Sequence, residues 1–275
     1  LKQSFLSIDE ILQGYDAVST LYPYVPPMLL WRSWEYAAYQ RYTLPEPVLD
    51  IGCGDGRYFQ LVWPQIQNVV GVDMDPGVAD AARRSQVYRG VVVSQAHELP
   101  TFAHTFASAF ANCSLEHMDH LDAVLAGIAR NLQSHSPFLL SVVTEKFVEW
   151  RSLPALVDHL DDPARATALQ LEYERYHHLV NPLPLAGWLQ QLDKAGFEVL
   201  EHIAILPEMT SRLFLFLDHM WHVRRGSNEL GDYLYPYLTS IPQFPAAFRE
   251  IMSGVLKLEQ DWTVGSGVVF YARKR

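Results

Sequence analysis

The sequence is short of cysteine. Cys53 and Cys113 are the only two, with neither a metal-ligand spacing nor a disulfide pattern between them. That predicts reduced thiols in a cytoplasmic protein and no metal centre. It also lacks a basic block. The densest cationic stretches are Arg83-Arg84, Arg224-Arg225 and the terminal Arg273-Lys274-Arg275, and 21 Lys and Arg face 31 Asp and Glu for a net charge of −10. A protein that tracks a phosphate backbone needs a basic footprint, so nucleic acid is not expected as a partner. No uncharged apolar run approaches the ~20 residues a membrane-spanning helix requires. Lys2, Asp9, Glu10 and Asp16 interrupt the amino terminus, which lacks the shape of a signal peptide. Leu1 stands where an initiator Met would, leaving open whether the chain is a whole protein or an excised domain.

What the sequence does have is apolar mass. Hydrophobic residues make up 49% of 275, enough to fill one sizeable core. Residues 1–45 read as helices with a heavy aromatic load, broken by Pro23, Pro26 and Pro27. From 48 the period changes to short apolar strands, at 48–51, 69–72, 91–93, 106–111 and 138–143, alternating with helices at about 57–63, 77–85 and 120–132. That alternation predicts a parallel sheet covered on both faces. The alternation lapses at 145–184, which reads as helical with a break at Asp162-Pro163. It resumes at 185–206 as a helix, Gly196 and a strand. Residues 207–262 read as mostly helical, and the last strand falls within 263–275. The expected fold is α/β: a Rossmann-like, doubly wound, seven-stranded sheet. A cap at 1–45 and insertions at 145–184 and 207–262 surround core segments 46–144 and 185–206.

The chemistry is concentrated in the loop after the first of these strands. Asp50-Ile51-Gly52-Cys53-Gly54-Asp55-Gly56 is D-x-G-x-G-x-G, and its last glycine falls one residue too early for the G-x-G-x-x-G of a dinucleotide site. Glycines let a backbone approach a ligand closely, but Asp50 and Asp55 would repel a pyrophosphate. Asp73, 17 residues beyond Gly56, ends the second strand where a carboxylate accepts hydrogen bonds from two ribose hydroxyls. An adenosyl ligand with an amino acid tail and a sulfonium has no phosphate and carries positive charge, which acids favour.

Here the sequence resembles the class I S-adenosylmethionine-dependent methyltransferases, in particular the small-molecule type of the Methyltransferase-11 group. VLDIGCGDG and VVGVDMDP resemble that family's first two motifs, and the stretch from AHELP to LLSVV its third to fifth strands. WLQQLDKAGFEVLEH is similar to its penultimate helix and sixth strand, GSGVVFYARK to its last strand, and GYDAVSTLYPYV to its amino-terminal lid. The insertions hardly resemble it. By position the resemblance implies that Asp50, Gly52 and Gly54 hold the methionyl amine, with Cys53 and Gly56 in the same loop. It implies Asp73 on the ribose and Met74 on the adenine, Gln95, Ala96 and His97 at the adenine edge, and Asn112 and Ser114 beside the methionyl part. Two departures stand out: Gln95 where the family often has Asp, and Ser134-His135-Ser136-Pro137 for a Gly-Gly turn.

Each residue has a plainer alternative. Asp50 could cap the following helix, Asp73 could be a turn acid facing Pro76, and Cys53 a small filler. Tyr15, Tyr22 and Tyr24 divide between packing and shielding a sulfonium, which an aromatic face suits. His117 is the first candidate for a base, with His120 and Glu116 behind it. His177 and His178 point in different directions on a helix, so no metal is expected there.

The expected reaction is in-line methyl transfer from S-adenosylmethionine, leaving S-adenosylhomocysteine. Its acceptor would be an oxygen or nitrogen of a small, partly apolar molecule such as a natural product, quinone, lipid-like compound or sugar. A non-catalytic binding or interaction member of the fold is the alternative, and an NAD-dependent oxidoreductase a weaker one. The expected assembly is a monomer or homodimer.

Overall fold

The computed structural model describes residues 1–275, leaving aside the side chain of Arg225. The chain opens with a short strand, β1 (Lys2–Ser4), and helices α1 (Ile8–Val18) and α2 (Pro26–Tyr39). Ser7 starts α1 with a capping box: its hydroxyl accepts from the Glu10 N–H while the Glu10 carboxylate accepts from the Ser7 N–H. Pro26 starts α2, where a missing N–H costs nothing.

The core follows as β2 (Val48–Ile51), α3 (Arg57–Val62), β3 (Val69–Asp73), α4 (Pro76–Ser85), β4 (Gly90–Val93), β5 (Ser108–Asn112), α5 (Leu121–Asn131) and β6 (Pro137–Val143). Three helices form the first insertion: α6 (Lys146–Glu149), α7 (Leu153–Asp158) and α8 (Pro163–His177). Then come α9 (Leu185–Lys194) and β7 (Phe197–Ile205), and next α10 (Glu208–Trp221). A two-residue-strand hairpin, β8 (Arg224–Arg225) with β9 (Asn228–Glu229), precedes α11 (Leu230–Thr239), α12 (Phe244–Leu256) and β10 (Gly267–Lys274).

The main sheet runs β1-β7-β10-β6-β5-β2-β3-β4, with β10 antiparallel to both neighbours. Seven of these strands are the ones the sequence shows. The eighth, β1, adds itself parallel to β7 at the edge, with Lys2 opposite Glu201 and Ser4 opposite Ile203. A three-residue strand without an apolar alternation leaves no periodic signal, and the region 1–45 reads as helical without it. The fourth strand is also displaced, to 108–112, because Phe106 makes only an isolated bridge to Leu132.

Strand periodicity sorts the core into two layers. Leu49, Ile51, Ala109, Ala111 and Phe138 point to the face covered by α5 and α9. Val48, Phe110, Leu139 and Val69 point to the face covered by α1, α2 and α3. Asp50 lies opposite Phe110 in register and is 2% exposed. It belongs to the second face by alternation, so the lid side of the sheet carries a buried carboxyl beside the glycine loop. The chain crosses over on either side of β2, which puts the switch point, and hence the ligand crevice, at the carboxyl ends of β2, β3 and β5.

Candidate functional site

Two cavities meet at that crevice. The larger, about 540 Å³, is lined by Asp73 and Met74 after β3, by Ser94 to His97 after β4, and by Ser114, His117, Met118 and Asp119 after β5. The smaller, about 230 Å³, lies on the lid side between Tyr22, Arg32, the loop 52–56, Tyr58, Phe59 and Asn112, with Asp50 in its wall. Gly52 and Cys113 line both. The partition is made by backbone. At Gly52, with φ +69°, a Cβ would lie 2.6 Å from the Ser114 Cβ, so only glycine allows strand β2 to turn beneath Ser114. At Gly54 the same construction meets nothing within 4 Å, which leaves open space beside the chain.

The loop is fastened to the acid that ends β3. Asp73 accepts from the Gly54 N–H at 3.1 Å on one oxygen and from the Asp75 N–H at 3.0 Å on the other. Each carboxylate oxygen keeps a lone pair for a further donor. Asp50 is held differently. Tyr88 donates its hydroxyl to Asp50 Oδ2 at 2.6 Å and lies 3.0 Å from the Cys53 carbonyl. Burial pushes the Asp50 carboxyl up to about 7, against the lowering effect of the Tyr88 hydrogen bond, with Asp73 nearby adding to the rise. Burial raises the Cys53 thiol too, which leaves it an unreactive filler.

Above the crevice α2 is bolted to the sheet through Glu35, which is fully buried. Its Oε2 accepts from Arg32 at 2.6 Å, and its Oε1 accepts from the Ser141 hydroxyl at 2.6 Å and the Cys113 thiol at 3.0 Å. Trp31 donates its indole N–H to the Cys113 sulfur at 3.1 Å, and Tyr39 its hydroxyl to Asn112 at 2.8 Å. Asn112 and Cys113 are thereby fixed from the lid as well as from the sheet, where Asn112 pairs with Ser141 and the Cys113 N–H donates to the Ser141 carbonyl at 3.1 Å.

Most of the candidate residues line one cavity or the other: Gly52, Asp73, Met74, Gln95, Ala96, His97, Ser114 and His117 the larger, and Tyr22, Asp50, Gly52, Cys53, Gly54, Gly56 and Asn112 the smaller. Tyr15 does not. Its ring packs on Phe248 and its hydroxyl donates to the Pro245 carbonyl, so it serves the seam between α1 and α12. His120 stacks edge-on against His97 and lines neither cavity. Glu116 is fully buried beneath the site, with both oxygens unpartnered, and burial raises it to about 8. The structure adds Arg32, Tyr58, Tyr88, Met118, Asp119 and His178 to the surroundings. Tyr88, the partner of Asp50, follows α4 in a stretch with no motif. Met118 and Asp119 continue the loop that carries Ser114 and His117.

His117 presents a ring whose Nδ1 has no partner and whose Nε2 lies 3.9 Å from Glu116 Oε1. Burial, reinforced by His177, lowers it to about 4, so the imidazole is neutral through the physiological range. Among the described residues, no group of three or more His, Cys, Asp or Glu is placed to hold a metal ion, and no helix is long and apolar enough to cross a membrane.

Residues 49–140, which contain the loop, Asp73 and His117, match the family model of the Methyltransferase domain. Over that third of the chain the sequence is similar to a methyltransferase domain. No curated protein sequence matches the chain. Solved structures similar in fold include a SAM-dependent methyltransferase of Thermotoga maritima described as a possible histamine N-methyltransferase, at 16% identity and TM-score 0.55, covering 98% of this chain and 99% of that one. Another is a chain from the complex of the Haloferax volcanii Trm112 methyltransferase activator with a methyltransferase, at 13% identity, TM-score 0.54 and 98% of each chain. A third is the [4+2]-cyclase SpnF, at 18% identity, TM-score 0.51, and 87% of this chain against 78% of that one.

The methyltransferase crevice fits the family's cofactor, S-adenosylmethionine. Its larger cavity offers a carboxylate with free lone pairs, and the smaller offers a buried acid that a cation would stabilise. Open space lies beside Gly54 in the wall of the smaller.

Proposed function

We propose that the protein transfers a methyl group from S-adenosylmethionine to an oxygen or nitrogen of a small, partly apolar molecule. The observation that carries this reading is the pair of cavities sharing Gly52 and Cys113, one with Asp73 and the other with Asp50 in its wall. Asp73 would accept from the ribose hydroxyls, with Met74, Ala96 and His97 around the adenine. Asp50 and the loop would hold the methionyl amine, and Tyr22 would close the lid side. Bound there, the cofactor would supply an electrophilic methyl carbon on a positively charged sulfur that serves as the leaving group.

The protein's part is to hold the two reactants in register and keep water out, which is where most of the rate in such a displacement arises. His117, whose ring lines the larger cavity, would take the proton from a hydroxyl acceptor. An amine acceptor needs no base. His117→Ala is therefore expected to lower turnover by about 10²- to 10⁴-fold for a hydroxyl acceptor and to leave an amine acceptor nearly untouched. A methyl-transfer assay over a panel of hydroxyl and amine compounds checks both. Equal loss on the two classes would remove His117 from proton transfer.

Asp50 makes the same reading testable without an acceptor. Its carboxyl sits near 7 in the free protein, raised chiefly by burial, and a cationic ligand favours its ionised form. Below pH 7 binding must expel a proton; above it the acid is already charged. Affinity for S-adenosylmethionine is thus expected to rise from pH 6 to pH 8 and then level. Calorimetry in buffers of different ionisation enthalpy should show proton release at the acid end. Asp50→Asn should flatten the slope. A slope that persists in Asp50→Asn would assign the proton elsewhere.

A further inference from the structure

The two insertions enclose a cavity of their own, about 600 Å³, with its walls on α8 and around the end of α10. That volume lies within the range of small-molecule sites. No residue of its lining is shared with the cavities at the glycine loop. Its chemistry is also different. Arg165, Arg175 and Arg224 line it together with His219 and His222, and Glu172 is the one acid of the lining. Arg224 is already engaged by Glu229, which lies 3.0 Å away and also takes His222 Nδ1 at 2.8 Å. Arg165 and Arg175 make no ion pair among the described residues.

Behind the wall sits a built support. Asp218, 6% exposed, accepts from the Tyr173 hydroxyl at 2.6 Å and faces His177 Nε2 at 3.0 Å and His222 Nε2 at 3.6 Å. It fixes Tyr173 and His222 as parts of one surface. His219 stacks on Tyr173 with centroids 4.6 Å apart, is 4% exposed, and has a buried Nδ1 with no partner. Tyr176 lies flat on His222 at 4.1 Å, with the Arg224 guanidinium 5.6 Å from its centroid. The cavity thus combines a fixed aromatic wall with two guanidinium groups that lack counter-charges. Both guanidinium groups are exposed at the cavity and open to a ligand, and arginine forks suit carboxylate and phosphate oxygens alike.

We propose that this cavity binds a small organic anion, a ring-bearing carboxylate or phosphate monoester, with Arg165 and Arg175 on the oxyanion and Tyr176 against the ring. The proposal stands apart from the methyl-transfer reading, although α8 is followed directly by His178, which lines the larger cofactor cavity.

The test is titration of the full chain with benzoate, phenyl phosphate and neutral benzyl alcohol at low salt, followed by calorimetry or NMR. Saturable binding of an anion with a Kd under about 1 mM is expected. Arg165→Ala with Arg175→Ala should weaken it at least about tenfold, while S-adenosylmethionine binding stays unchanged and so reports an intact fold. Phenyl phosphate alone would identify a phosphate site, benzoate alone a carboxylate site, and both a general oxyanion site. Failure of both anions to saturate, equal affinity for benzyl alcohol, or an unaltered double variant would overturn the proposal.

Discussion

Asp73→Ala is expected to weaken binding of S-adenosylmethionine by about a hundredfold or more. A hydrogen bond to a charged acceptor contributes about 1.5–3 kcal/mol, and this carboxylate has free lone pairs for two ribose hydroxyls. It also loses a second function in the variant, since its oxygens hold the Gly54 and Asp75 N–H groups and with them the loop. The demethylated product separates the possible causes. Ribose is common to both ligands, so calorimetry should show S-adenosylhomocysteine losing as much as the cofactor. A loss confined to the cationic ligand would mean that Asp73 acts through its charge rather than on the sugar. Asp73→Asn, which keeps one acceptor oxygen, should fall between wild type and alanine.

The second large effect is on stability. Glu35→Ala is expected to cost about 3 kcal/mol, because it strands Arg32 and leaves the Ser141 hydroxyl and the Cys113 thiol without their acceptor. The figure is at the low end for a broken buried pair, since the Arg32 side chain is 19% exposed and water recovers part of the loss. Glu35→Gln keeps an acceptor for Ser141 and should cost less. Urea unfolding of the three proteins, compared by midpoint at constant slope, checks the order. An alanine variant as stable as wild type would mean that the lid is held by its aromatic packing alone.

These two residues show what a sequence discloses and what it hides. Asp73 was legible because it stands at a fixed distance from a glycine loop, at the end of a strand whose apolar period is plain. The loop and the strand alternation are legible for the same reason: their signals are local. Glu35 was not. Arg32 lies three residues before it on α2, a spacing that on a helix surface reads as an ordinary solvent-facing pair. Only the folded chain shows that Glu35 meets residues at the ends of β5 and β6. Tyr88 is hidden in the same way, since a tyrosine after a helix carries no mark of the carboxyl it will meet 38 positions upstream. Tyr15 erred in the other direction. An aromatic in a lid reads as facing a ligand or as packing, and the carbonyl of Pro245 that fixes it inward belongs to an insertion with no counterpart in the motifs.

The glutamate on α2 also bears on the order in which the molecule assembles. Its hydrogen bonds span 78 residues to Cys113 and 106 to Ser141, whereas the β2–β3 and β5–β6 pairs join nearer neighbours in the chain. Closing so long a loop is entropically costly until its far ends are already side by side. The helices α1 and α2 therefore lack this attachment until β6 has joined the sheet. The roof of the crevice thus depends on a strand more than 100 residues further along the chain.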